Sequence, residues 1–309
     1  MNKVKPYKQK EAAMKVLNYG SLNVDYTYSV PHIIVGGETM ASFELHEYCG
    51  GKGLNQSVAL AKAGLDVWHA GIIGNDGQML LDACADAGVH TDFIKKMDVR
   101  GGHTVIQVDE NGQNSIILYD GTNQMQTADF VDEVLSHFEE GDYLVLQNEV
   151  NMLDYIIDKA YERGMKIILN PSPYNEALDA CDLNKVSLFL VNEIEAAQIT
   201  GNNDAEHALD ALHETFPDAA FVLTLGSDGA WYYDGKQKVF QDIFKVKAVD
   251  TTAAGDTFTG FFVKKLAEGA DIQTALRTAA KASSIAVTRV GAAPSIPTME
   301  EVEDSLKEE

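Results

Sequence analysis

Short apolar runs alternate with helical stretches along most of the chain, and this alternation constrains the fold more than any other feature. Residues 143–147, 166–169, 188–191 and 220–225 have strand length and are apolar almost throughout. A strand with no polar face must be covered on both sides. Residues 151–163, 193–199 and 205–215 have helical character and fall between those runs, which returns the chain for parallel pairing. The same order opens the chain. Residues 16–24 read as a first strand, 52–63 as a helix of small residues, 67–73 as the next strand, and 77–87 as a helix ending at Gly88. The predicted class is α/β, with a mostly parallel central sheet and helices on both faces.

Residues 33–49 and 103–119 break the alternation and read as extended hairpin material. The second stretch contains Asp109-Glu110-Asn111-Gly112, and Asn-Gly is a strong hairpin signal. Segments covering about 26–49 and 100–121 are therefore expected to form a small β-sheet, projecting as a lid over a cleft. No repeat or low-complexity segment interrupts the chain, so residues 1–309 are read as one α/β domain carrying this lid. A projecting sheet with apolar residues on both faces is poorly stable alone, which predicts a homodimer joined through the lids. Toward the C-terminus, helices over 256–268 and 271–287 precede a loop ending in Pro294-Ser295-Ile296-Pro297 and an acidic tail helix.

Lys and Arg number 24 against 47 Asp and Glu, a formal charge of -23. That argues against nucleic acid as a partner, where a basic footprint is expected. It does not disfavour a small anion, which a local pocket captures despite the global field. No apolar run approaches the roughly 20 residues of a membrane span. Residues 1–10 are basic with no apolar stretch behind them and read as a tail rather than a secretory leader. Cys49, Cys84 and Cys181 are widely spaced and form no CxxC pair, so free thiols in a reducing cytoplasm are expected.

The chemistry concentrates in Val249-Asp250-Thr251-Thr252-Ala253-Ala254-Gly255-Asp256-Thr257-Phe258. Small residues followed by an apolar run read as a tight loop feeding a helix N-terminus, which attracts an anion through unpaired N–H groups and the helix dipole. Gly255 lets backbone come close to that anion. Asp256 then places a carboxylate in the first turn, poorly suited to binding phosphate and well suited to taking a proton from an attacking hydroxyl. An anion hole beside a base suggests phosphoryl transfer to an alcohol. A second motif, Cys49-Gly50-Gly51-Lys52-Gly53-Leu54-Asn55-Gln56, joins the hairpin region to a helix. It is not a P-loop, because Lys52 is followed by Gly53 and no Ser/Thr is placed to hold magnesium.

Together, Gly50-Gly51-Lys52-Gly53-x-Asn55 and Asp250-Thr-x-Ala-Ala254-Gly255-Asp256-Thr257-Phe258 resemble the two signatures of the ribokinase-like (PfkB) carbohydrate kinases. The resemblance runs from about residue 16 to residue 300 and points to the ribokinase branch. Supporting pieces are Gly37-Glu38-Thr39, Val191-Asn192-Glu193-x-Glu195-Ala196, Thr224-Leu225-Gly226-Ser227-x-Gly229 and the stretch from Ala286 to Pro297. It implies a three-layer ribokinase-like fold and ATP-dependent phosphorylation of a pentose at its primary hydroxyl, D-ribose first. Asn23 and Asp25 would bind sugar hydroxyls, with Gly51, Lys52, Gly53 and Asn55 lining the other side and Glu149 also facing the sugar. Asp256 would be the base, with backbone N–H groups of Ala253, Ala254, Gly255 and Asp256 as the anion hole. Asn192, Thr224, Gly226, Ser227, Gly229 and Gly255 would hold the nucleotide, and Glu195 would hold magnesium through water. A potassium site would comprise Asp250, carbonyls of Thr252, Ala286, Arg289 and Gly291, and the Ser295 hydroxyl.

The chain departs from the usual pattern in places. Ala280 stands where ribokinases often carry His or Asn near the adenine, so nucleotide specificity is expected to be loose. Asp120-Gly121-Thr122-Asn123 replaces the usual Ala-Gly-Ala-Asn, and Leu54 a usual Ala, either narrowing the sugar pocket or facing the core. These changes leave a kinase of another sugar (fructose-type or ketodeoxy) or of a nucleoside as the alternative. A non-catalytic sugar sensor would lack the base or the anion-hole glycine, and both are present. A dinucleotide oxidoreductase would need G-x-G-x-x-G after the first strand, which Gly20-Ser21-Leu22-Asn23 does not supply.

Overall fold

The structure is a computed structural model, and it describes residues 14–308; the basic tail at 1–10 lies outside them. The N-terminal half runs β1 Val16–Tyr19, β2 Asn23–Ser29, β3 Glu44–Gly50, α1 Lys52–Lys62, β4 Val67–Ile73, α2 Gln78–Asp86, β5 His90–Lys96, β6 Gly102–Val108, β7 Asn114–Tyr119 and α3 Ala128–Leu135. There follow β8 Tyr143–Gln147, α4 Leu153–Glu162, β9 Lys166–Asn170, β10 Leu188–Asn192, α5 Glu193–Thr200, α6 Ala205–Thr215 and β11 Ala220–Thr224. The C-terminal part is β12 Ala230–Tyr233, β13 Lys238–Gln241, α7 Ala254–Ala267, α8 Ile272–Ala286 and α9 Met299–Lys307.

A nine-stranded sheet has the order β13-β12-β11-β10-β9-β8-β1-β4-β5. Pairing is parallel from β11 through to β5 and antiparallel only at β12 and β13. Alternate residues of single strands enter opposite cores, as an all-apolar strand requires. Val145 and Val222 join the layer of α1, α7 and α8, while Leu144, Leu146, Phe221 and Leu223 join the layer of α3, α4 and α6. The strand order reverses at β1, flanked by β4 and β8, and such a switch point opens a crevice at the strand carboxyl ends.

The expected single strand over 16–24 is two. Its second part, β2, leaves the main sheet for a four-stranded sheet of order β3-β2-β6-β7. The turn between them is tight because a Cβ on Gly20 would lie 2.7 Å from the Cα of Gly53, at the start of α1. The separate small sheet expected as a lid therefore exists, but residues 33–43 carry no strand, and β2 and β6 are its two central strands. Ile116, Ile117, Leu118 and Tyr119 are consecutive on β7 and all exposed, so both faces of this edge strand are apolar.

Strands β5, β12 and β13 and helix α3 were not anticipated from the sequence. β5 (His-Thr-Asp-Phe-Ile-Lys-Lys) is an edge strand and mostly polar. Leu54 is fully buried in the core under α1, so it does not narrow the crevice. The cysteines are free thiols, with Cys84 buried and the other two half-buried. Among the described residues no helix is long and apolar enough to cross a membrane.

Candidate active site

Helix α7 begins at Ala254, two residues before the start at 256 expected from the sequence. Ala253 takes the left-handed conformation (φ 59°) and turns the chain into the helix without a capping side chain. The Ala254 N–H turns back to the Thr251 carbonyl (3.2 Å). Gly255 and Asp256 supply further first-turn amides, which lack an upstream helical acceptor. A Cβ on Gly255 would meet no protein atom within 4 Å, so the absent side chain serves the space beside the helix, not internal packing.

That space is a cavity of about 230 Å³ lined by Lys52, Asn192, Glu195, Thr224, Ala253, Ala254, Gly255 and Asp256, among others. A second cavity, of about 500 Å³, shares Thr224, Thr251, Ala254, Gly255 and Phe258 with it. Gly226, Ser227, Gly229, Phe244, Val246, Ala280 and Val287 line the second one. The two form one cleft passing over the N-terminus of α7. Its far end is largely apolar, and its near end holds Lys52 and the carboxylates.

Asp256 is gripped on both oxygens. Asn55 Nδ2 donates to Oδ2 (3.3 Å) and Gln56 Nε2 to Oδ1 (3.0 Å). Burial pushes this carboxyl above the usual carboxylate range, and Lys52 together with the two amide bonds opposes the shift. For Lys52, burial acts to lower the ammonium, but the carboxylates of Asp256, Glu149 and Glu195 outweigh it and hold it above its ordinary value. Glu149 is likewise raised by burial, with Lys52 opposing. Its Oε2 accepts from the Lys52 N–H (3.0 Å) and from the Ser21 hydroxyl, so it caps α1.

Asn23 and Asp25 follow the first strand and lie within β2 of the small sheet. Asn123 Nδ2 donates to Asn23 Oδ1 (2.7 Å), and Thr104 Oγ1 donates to Asp25 Oδ1 (2.6 Å) across the β2–β6 ladder. Burial raises the Asp25 carboxyl and the Thr104 bond opposes it. Gly51 starts α1 at φ 94°. Gly53 is packed against the preceding loop, where a Cβ would lie 2.5 Å from the carbonyl carbon of Gly20.

Asn192 and Glu195 form a reciprocal capping box at α5. Asn192 Oδ1 accepts from the Glu195 N–H (2.9 Å), and Glu195 Oε2 accepts from the Asn192 N–H (3.0 Å). The pair thus opens α5 and also lines the cavity wall. Asp250 Oδ1 accepts from the Thr252 N–H (2.9 Å) and Oδ2 from the Gly291 N–H (2.9 Å). That second bond ties the α7 loop to the segment containing Ala286, Arg289 and Ser295. Sequence reasoning missed Ser21, Gln56, Thr104 and Asn123. Gln56 had a visible signal, an amide next to Asn55 at the end of the glycine motif; the other partners depend on the small sheet's register.

A profile of the pfkB family of carbohydrate kinases matches residues 13–299. Ribokinase of Haemophilus influenzae is 33% identical, with 93% of this chain and 97% of that protein covered. The structure of Cryptococcus neoformans ribokinase in complex with ADP superposes with a TM-score of 0.84 at 32% identity, covering 94% of this chain and 99% of the other. Arabidopsis thaliana ribokinase complexed with ribose and ATP gives a TM-score of 0.84 at 28% identity, covering 96% and 99%. The fold is accordingly ribokinase-like, and the chain belongs to the pfkB family of carbohydrate kinases, which are phosphotransferases.

Proposed function

We propose that the chain transfers the γ-phosphoryl group of ATP to the primary hydroxyl of a pentose, D-ribose first, giving ribose 5-phosphate and ADP. The observation that carries this reading is Asp256, held by two amides beside Lys52 at the mouth of the cleft and at the start of α7. Asp256 removes the hydroxyl proton as the sugar oxygen bonds to phosphorus and the bond to ADP breaks. The amides of Ala253, Gly255 and Asp256 face the charge on the transferring group, while the Ala254 N–H expected beside them is already given to the Thr251 carbonyl. Asn23, Asp25, Gly51, Lys52, Gly53, Asn55 and Glu149 form the sugar side. Asn192, Thr224, Gly226, Ser227 and Gly229 form the nucleotide side.

Glu195 is only 5% exposed and sits in the cavity wall. Among the described residues there is no cluster of three or more metal-ligating side chains, which suits an ion carried in by the nucleotide. Magnesium would be held there by Glu195 through water, neutralising phosphate charge. The joined loops around Asp250 offer the hard oxygens a potassium ion takes: the Asp250 carboxylate, the carbonyls of Thr252, Ala286, Arg289 and Gly291, and the Ser295 hydroxyl. The bound ion would order the first turn of α7.

The far end of the cleft supports loose nucleotide choice. Ser283 Oγ donates to the Ala254 carbonyl (2.7 Å) and Ser284 Oγ to the Lys281 carbonyl (2.7 Å), so neither hydroxyl proton is left for a base edge. ATP and GTP are expected to differ by less than about tenfold in kcat/KM, because an apolar pocket discriminates weakly. The deciding assay is a panel of pentoses, hexoses and nucleosides with magnesium nucleotide, run with and without potassium. Ribose should dominate and potassium should accelerate it. A preference for a hexose or nucleoside would overturn the ribose assignment and leave the kinase.

The exposed apolar strand β7 supports a homodimer through the lids, and the cytoplasm is the expected place of action. Light scattering at assay concentration should give the mass of two chains, and a monomer would refute the pairing.

A further inference from the structure

Asn18, Gln56, Ser57, His69 and Gln147 are all fully buried, yet none touches the cleft. Such groups are costly in a core unless fully hydrogen-bonded. They form one continuous chain. Gln56 donates to Asp256 Oδ1 through Nε2 (3.0 Å). Gln147 Nε2 donates to Gln56 Oε1 (2.6 Å) and to Asn18 Oδ1 (2.9 Å). Asn18 Nδ2 donates to the Gly53 carbonyl (2.6 Å) and to Ser57 Oγ (2.7 Å). Ser57 Oγ meets His69 Nδ1 (2.7 Å), and His69 Nε2 meets the Gly20 carbonyl (3.3 Å).

Two acceptors that cannot reverse fix the sense of every bond. The Gly53 and Gly20 carbonyls only accept. Burial lowers His69 to about 4, so the ring is neutral, and its one proton lies on Nε2 toward Gly20. Nδ1 then accepts from Ser57, whose oxygen accepts from Asn18. The Asn18 amide therefore presents Oδ1 to Gln147, which must answer with its NH₂ group. Both Gln147 protons are used, and Gln56 receives one of them on its oxygen. Gln56 is left with its NH₂ group toward Asp256. The arrangement costs an unpaired acceptor, since Gln147 Oε1 is buried without a donor.

We propose that Gln56 is a positioning residue for the base, and that Gln147 and Asn18 hold its amide in the orientation that donates to Asp256 Oδ1. A donated bond favours the ionised carboxylate, whereas a reversed Gln56 amide would set oxygen against oxygen and favour the protonated form. It also fixes the carboxylate plane. The inference rests on the reading of Asp256 as base. Other charged groups acting on this carboxylate or on its lysine are Lys52 on α1, Glu149 after β8 and Glu195 on α5. None of them belongs to the amide chain.

The test is the pH dependence of kcat for ribose phosphorylation in Gln56→Met and Gln147→Met, beside the wild type. Both changes keep an unbranched side chain and remove the donor. At neutral pH kcat should fall about tenfold or more, with the acidic limb displaced upward by about one pH unit and the sugar KM changed less than about threefold. The displacement should be the larger in Gln56→Met. The sites lie on different elements, and Gln147→Leu repeats the second with a branched side chain if Met does not fold. Variants with a lower melting temperature but the wild-type limb would overturn the inference. Asp256→Asn separates the two readings: if it keeps turnover, the base assignment fails; if it is inactive while the Gln variants keep the wild-type limb, only the positioning role fails.

Discussion

Asp256→Asn is expected to lower kcat by about 10²- to 10⁴-fold while leaving the sugar KM within a few-fold, because general-base help is worth that much. Asn is nearly isosteric and keeps one acceptor toward Asn55 and Gln56, so the fold of α7 should survive. What it cannot do is accept a proton at neutral pH. In the wild type, burial raises this carboxyl above the usual carboxylate range and Lys52 opposes the shift. Turnover needs the ionised form, so the rate should fall as pH drops through that raised value. The acidic limb should accordingly lie above the range of a free carboxylate and vanish in the variant's residual activity. Steady-state kinetics across pH, with sugar binding followed separately by calorimetry, checks both parts. Near-normal turnover in the variant would remove Asp256 from the chemistry.

Gly260→Val is expected to destabilise the protein by about 1–3 kcal/mol through overpacking, and to cost activity as well. Gly260 lies mid-way along α7, and a Cβ there would come within 2.5 Å of the Ala59 carbonyl carbon on α1. Backbone lies on the far side of that contact, so no side-chain rotation relieves it. The helices must separate instead. Asn55 and Gln56 ride on α1 and Asp256 on α7, so separation draws the amides off the base. Gly36→Ala is the control, since a Cβ there meets nothing within 4 Å, and it should be silent. Thermal melting and kcat measured on the same samples decide the matter; an unchanged melting temperature in Gly260→Val would mean that α1 and α7 do not approach as described.

The strands β4 and β8 and helix α6 occupy 67–73, 143–147 and 205–215, as their periodicity indicated. The two strands are apolar because both their faces are buried, and α6 shows one buried stripe of Ala208, Leu209 and Leu212. The 16–24 segment misled because Leu22 and Val24 are apolar and buried, as a continuing strand would be. The departure of β2 into the lid is decided by packing of the Gly20–Ser21 turn against α1, a contact between distant parts of the chain. The candidate catalytic loop was legible because Gly255 and Asp256 are adjacent in sequence and the chemistry proposed for them is local. Thr104 on Asp25 and Gln147 on Gln56 were not, since each pairing depends on which strand neighbours which.

The most direct test of the account follows the γ-phosphoryl group itself. Ribose and magnesium-ATP incubated with the wild-type enzyme should yield ADP and one new phosphomonoester, whose phosphorus couples to the two protons of the primary carbon in a ³¹P NMR spectrum. Appearance of ADP with inorganic phosphate alone, or of phosphate on a ring hydroxyl, would contradict a carboxylate that activates the primary alcohol at the mouth of α7.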